Sequence, residues 1–291
     1  MYLKKAFKLI TKNLVIILPI LIVALIFLFL LNNLINALSP LSSVVSETEV
    51  LNIIKNAMLP MLIYFSSSIV LSLIVQAGQG NMIKEAMRNG ETDFSDFSAG
   101  IKHYFWRVVG QFLLTMAMTL AICVIIGIIM IALVAGSAFT DLMSPAATVT
   151  PNYVNMSAII GLAIISLATF IGIIFLTLWT PSIILDDIGV FEGLKRGAKA
   201  VKHHFWSILG TILLFGIIMA LIVNIVNKLY TYISGTASYS ISPFNYMSIL
   251  STLISICLAT ILTAYFYIIY DNFKPTEMND EEPSTIETEQ L

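Results

Sequence analysis

The residues from Asn13 to Leu38, NLVIILPILIVALIFLFLLNNLINAL, contain no charged side chain. A helix rises 1.5 Å per residue and needs about 20 apolar residues to cross the hydrocarbon of a bilayer. This one stretch is therefore long enough to span a membrane, and it decides the class of the fold. The segment before it, MYLKKAFKLITK, is basic, so the two together have the layout of a secretory leader. The apolar part of a cleavable leader is only about 7–15 residues long, however, and no charge appears between Lys12 and Glu47. The small-residue site Ala37-Leu38-Ser39 is followed by Pro40, and the segment reads as an uncleaved first span.

Further along the chain, five more charge-free intervals follow: Asn56 to Ile83, Val108 to Thr140, Leu142 to Leu185, Phe205 to Asn227 and Leu229 to Tyr270. Turn-forming residues at 39–43, 144–152 and 234–243 trim the longest of them. The expected spans are 14–38, 57–78, 107–135, 157–180, 205–232 and 246–270. Composition agrees, with 58% hydrophobic and 11% charged residues in 291, where a soluble domain carries about 25% charged. The expected fold class is an all-α integral membrane protein, with a single polytopic domain over 1–271 and an acidic, disordered tail over 272–291. From Asp271 on, the chain has seven acids and one lysine in 21 residues.

A net charge of -2 excludes nucleic-acid binding driven by bulk positive charge. Cys123 and Cys257 sit in apolar runs with no ligand cluster around them. Local charge sets the orientation: thirteen of fifteen Lys and Arg lie at the N-terminus, in the segments between spans two and three and between spans four and five, or after span six. The positive-inside rule then puts both termini in the cytoplasm, with Lys55 and Lys228 outside. The expected location is the cell (plasma) membrane, and the richness in Ile, Asn and Lys points to an AT-rich prokaryote.

The segment Ile101–Gly110, IKHYFWRVVG, recurs one hundred residues later as Val201–Gly210, VKHHFWSILG, with five identical positions and three aliphatic exchanges. The two windows hold every histidine in the chain. A fainter third copy appears when Ile10 is set on Val201: Leu14 then meets Phe205, Lys4, Lys5 and Lys8 meet Lys195, Arg196 and Lys199, and Asn33 and Asn36 meet Asn224 and Asn227. The unit is an amphipathic interfacial helix, a long span, an external loop and a return span, made three times. Two spans per unit give every copy the same orientation, so these are parallel repeats. In the lead-in helices Leu3, Phe7, Ile10 and Leu14 share one helical face, as do Leu194, Ala198, Val201 and Phe205. Phe94, Ile101 and Phe105 keep three of the positions in the middle copy, where Asp93 is the expected N-cap.

Four stretches carry a family likeness: Pro181–Asp187 (PSIILDD), Phe191–Arg196 (FEGLKR), Phe205–Gly210 (FWSILG) and Ala264–Asp271 (AYFYIIYD). Together they resemble the membrane domain of glycerophosphoryl diester phosphodiesterases and related six-span prokaryotic membrane proteins of unknown function. The resemblance could cover residues 1 to 271. It implies a membrane module without the soluble phosphodiesterase barrel, where that family's chemistry resides.

No Gly-rich phosphate loop, zinc-spaced Cys/His set or Gly-x-Ser-x-Gly elbow is present, and neither an enzyme nor a cofactor is expected. Asp186 and Asp187 form the one adjacent acid pair facing a membrane; a metal or acid/base role competes with simple charge at a helix end. His103, His203 and His204 could gather around a pseudo-axis as ligands or a pH sensor, or make interfacial headgroup contacts. Asn33, Asn36, Asn224 and Asn227 are the polar candidates within the spans, and Pro19 is expected to kink span one. The basic residues Lys4, Lys5, Lys8, Lys12, Lys195, Arg196, Lys199 and Lys202 are the expected contacts for anionic lipid headgroups. Membrane lipids and other membrane proteins are the expected partners. The competing function is a small transporter or permease subunit. A polar cavity at the midplane would favour transport, and a solid Leu/Ile/Phe core would exclude it.

Overall fold

The computed structural model describes residues 2–40, 46–143, 166–167, 169–234 and 246–278, and every element among them is helical. Six helices are long and apolar enough to cross a membrane: Leu14–Leu38, Thr48–Asn89, Phe94–Ile128, Thr169–Asp186, Val190–Val226 and Ile249–Phe273. Each overlaps one expected span. The elements are α1 (Tyr2–Lys12), a 3-10 turn (Leu14–Ile17), α2 (Leu18–Leu38), α3 (Glu47–Asn89), α4 (Phe94–Met143), α5 (Trp179–Asp186), α6 (Val190–Ser234) and α7 (Tyr246–Met278).

Several boundaries differ from the sequence reading. α3 continues past 78 to Asn89 and has 43 residues, about 64 Å of helix against a hydrocarbon core of about 30 Å, so its last polar turns stand beyond the lipid. It ends where Gly90 takes the left-handed conformation, φ 78°, which glycine adopts without steric cost. Only the first lead-in segment is a separate helix. The other two run into their spans, α4 without a break and α6 through a kink at His204, φ -106° and ψ 17°. Pro19 lies in the first turn of α2, after the 3-10 turn, where its missing N–H costs nothing; it starts the helix rather than kinking it. The fourth span turns at Thr177 and Leu178 before α5. α7 carries on to Met278, into the segment expected to be disordered, and 279–291 lie outside the described residues.

Asp93 caps α4 as expected. Its Oδ1 accepts from Ser95 N at 2.7 Å, Ser95 Oγ at 2.6 Å and Asp96 N at 3.2 Å, while Asp96 Oδ2 accepts from Asp93 N at 3.1 Å. The two residues form a reciprocal capping box. The Ser95 hydroxyl, with the Asp96 and Ser95 amides, holds the Asp93 carboxyl below the usual carboxylate range.

The core gathers at one end of the bundle, called the closed end below. There α1, the C-terminal turns of α3 and α7, α5, and the starts of α4 and α6 meet around Met82, Ile83, Val108, Ile184, Ile208 and Tyr267, each no more than 1% exposed. Glycines let the backbones close. A Cβ on Gly197 would lie 2.9 Å from Leu178 O, and one on Gly100 would lie 2.8 Å from Ala77 O. α1 packs on α7 through Ala6 and Ile10, whereas Phe7 and Leu14 are 56% and 63% exposed. The packed strip keeps Leu3 against the core and is rotated away from Phe7 and Leu14.

Candidate functional site

Two polar features occupy the closed end. The first is a buried network. Lys84, in the last turns of α3, is 6% exposed and donates to Tyr104 Oη at 2.6 Å and to the Ile184 carbonyl at 2.9 Å. Asp186, at the end of α5, turns inward with a side chain only 3% exposed. Its Oδ2 accepts from Tyr270 Oη at 2.7 Å and from Arg196 at 3.2 Å. Asp187 takes the left-handed conformation, φ 58°, which swings its carboxylate the other way, onto His103 at 2.9 Å and onto Arg107. Burial opposes ionisation of Asp187, but the His103 and Arg107 hydrogen bonds outweigh it and hold the carboxyl below the usual range.

The structure therefore separates residues that are adjacent in sequence. Asp186 and Asp187 point to different helices and do not form a shared carboxylate site. His103 belongs to Asp187, while His203 and His204 stack edge to face, ring centroids 4.9 Å apart, against Phe273. Tyr2 meets the ring of His204. Among the described residues no group of three or more His, Cys, Asp or Glu could hold a metal. Asn33 and Asn36 are exposed, Asn224 donates to its own helix at Ala220 O, 2.8 Å, and the side chain of Asn227 lies outside the described residues.

The second feature is a cavity of about 340 Å³ between α2, α3, α5 and α7. Ile20, Val23 and Phe27 of α2 form an apolar wall, and Ser72, Gln76 and Gln79 of α3 face it with Thr180, Thr263 and Tyr267. Gln76 Nε2 donates to Thr180 Oγ1 at 2.8 Å, and Thr180 donates to Gln111 Oε1 at 3.1 Å. Gln79 Nε2 donates to the Ile16 carbonyl at 3.4 Å. Sequence reasoning missed this site because it looked for ionisable groups, and the signal available was the Gln76/Gln79 pair, one turn apart inside a charge-free interval.

The basic surface lies outside this core. Lys4, Lys5, Lys8 and Lys12 are exposed on α1, as are Lys195, Lys199 and Lys202 on α6. Arg196, half-buried, is tied to Asp186 and, at 2.7 Å, to Glu192, and Lys12 lies 3.9 Å from Glu91. Trp106 and Trp206 are 76% and 80% exposed.

Residues 2–273 match the family model described as a domain of unknown function, DUF7847. The chain belongs to that family. No curated protein and no solved structure matches it. The DUF7847 match takes in the cavity, the buried network and both basic helices, and the family description assigns none of them a role.

Proposed function

We propose that the chain is a non-enzymatic, multi-pass protein of a prokaryotic cell membrane that holds anionic lipid headgroups, or a partner membrane protein, at its closed end. The observation that carries the reading is the exposure of seven lysines on α1 and α6 at the end that also exposes Trp106 and Trp206. Each basic side chain near an anionic surface contributes about 1 kcal/mol. By the positive-inside rule the closed end, with both termini, faces the cytoplasm.

The threefold parallel repeat is part of the same proposal. Setting Ile10 on Val201 puts Asn13 on His204, and these are the places where the first and third lead-in helices lose helical geometry. The same alignment joins Ala6, Phe97 and Gly197, which are all buried. The likeness to the phosphodiesterase membrane domain fits a module of this kind.

The test replaces Lys195, Lys199 and Lys202 with Gln, leaving Arg196 on Asp186, and measures phosphatidylglycerol and cardiolipin retained in native mass spectrometry. Retention is expected to fall. Unchanged retention in a correctly oriented protein refutes the headgroup reading.

The cavity favours a second reading, a small transporter or permease subunit. Its polar residues Gln79, Thr180 and Tyr267 lie toward the closed end, whereas a carrier must open to both sides. A cysteine at Ser72 that reacts with an impermeant thiol reagent from both faces of the membrane supports transport, and reaction from one face or neither supports the module.

A further inference from the structure

We infer that the cavity between α2, α3, α5 and α7 is a binding site for an amphiphile with an uncharged, hydroxyl-bearing head, of the acylglycerol class. The inference is independent of the anionic-lipid reading, because no basic residue lines the cavity. Its volume of about 340 Å³ is at the lower end of small-molecule sites and suits a glycerol-sized head with the first methylenes of a chain. The absence of charge from the lining disfavours a phosphate or carboxylate head, which would be desolvated there without compensation.

The direction of each hydrogen bond defines the ligand further. Thr180 Oγ1 accepts from Gln76 Nε2 at 2.8 Å and from Gln111 Nε2 at 2.9 Å, and lies 3.1 Å from Gln111 Oε1, so Gln76 keeps its amide oxygen and its second N–H for a ligand. The Ile16 carbonyl can only accept, so Gln79 gives it one of its two amide protons and keeps the other, together with its oxygen. Thr263 gives its proton to Ala259 O at 2.9 Å. The cavity consequently offers both acceptors and donors and no charge. A further donor is Tyr267, 1% exposed, whose hydroxyl has no hydrogen-bond partner among the described residues and lies against Gly80. A head that donates through two hydroxyls and accepts through one ester carbonyl complements this set. The wall from Ile20 to Phe27 runs about 10 Å along α2 away from the polar end, which gives the acyl chain a path into the lipid.

The experiment uses the full chain purified in mild detergent and measures binding of 1-monooleoylglycerol, methyl oleate, oleate and glycerol by native mass spectrometry. One monooleoylglycerol per chain is expected, bound roughly tenfold tighter than methyl oleate, which lacks the donors. Gln76→Leu is expected to weaken it roughly tenfold. Ser72→Phe is expected to abolish it while leaving phosphatidylglycerol retention and thermal unfolding as in the parent. Equal binding of methyl oleate or oleate to the parent protein overturns the inference without any variant. So does glycerol binding as tightly as monooleoylglycerol, or unchanged binding in both variants.

Discussion

At the closed end Trp179, Tyr265, Tyr267 and Tyr270 are each no more than 2% exposed, whereas along the first half of α3 Leu51, Met58, Leu59 and Leu62 are 64–66% exposed. Both regions are apolar and helical; they differ in what joins the helices. At the closed end the joints are directional: Lys84 on Tyr104 and Ile184, Asp186 on Tyr270 and Arg196, and Gln76 on Thr180. Glycines at 100 and 197 bring the backbones into contact there. The other end offers side chains as apolar as lipid tails, and between such surfaces no hydrophobic force favours helix over lipid. Specific geometry in this chain therefore comes from its minority of polar and small residues.

The strongest way to break the contrast is at the glycines. Gly197→Val should press Cβ onto the Leu178 backbone, which cannot rotate away, and should lower stability by about 3 kcal/mol. Gly216→Ala, where nothing lies within 4 Å, should be neutral or stabilising by up to about 1 kcal/mol. Thermal unfolding followed by size-exclusion chromatography in detergent checks both, and equal effects would erase the distinction.

A smaller effect is expected at Lys84. Lys84→Met leaves the Tyr104 hydroxyl and the Ile184 carbonyl without this donor, at a cost of about 1–3 kcal/mol. Lys55→Met, at an exposed position of α3, should be silent in the same assay.

The smallest effect sharpens the electrostatic side of the comparison. The Asp187 carboxyl is held below the usual range by His103 and Arg107 against its own burial, so it releases its proton more readily in the folded protein than in the unfolded one. Its contribution is present above the ordinary carboxylate range and fades as pH falls through the lowered value, below about pH 4. The group is 48% exposed, so the contribution is about 0.5 kcal/mol. Asp187→Asn should remove that part of the acid limb in pH-dependent unfolding and leave the rest of the profile in place.

The six spans were legible because charge is excluded over lengths that only a bilayer explains, and Asp93 was legible as a cap because its hydrogen bonds are local. The length of α3 was not. Lys84 and Arg88 look like loop charges until Tyr104 and Ile184, distant in sequence, are seen to accept the Lys84 ammonium. The divergence of the adjacent acids was not legible, because the left-handed turn at Asp187 leaves no trace in a sequence pattern. Arg196 read as one more surface cation for the same reason, since its partner Asp186 reaches it only through the turn between α5 and α6. The cavity was hidden by composition: glutamine and threonine in an apolar helix carry no charge to draw attention, and their meaning depends on which helices face them.

The seat of α1 has a consequence for how the chain is made. α1 leaves the ribosome well before α7, yet it packs on that helix, and Tyr2 meets the ring of His204 edge to face. At about 5–20 residues per second, its final partner emerges on the order of ten seconds or more after it does. Throughout that interval α1 lacks its α7 partner, and the membrane interface is an apolar surface at hand. A segment made early is thus locked late, when α7 arrives to receive it.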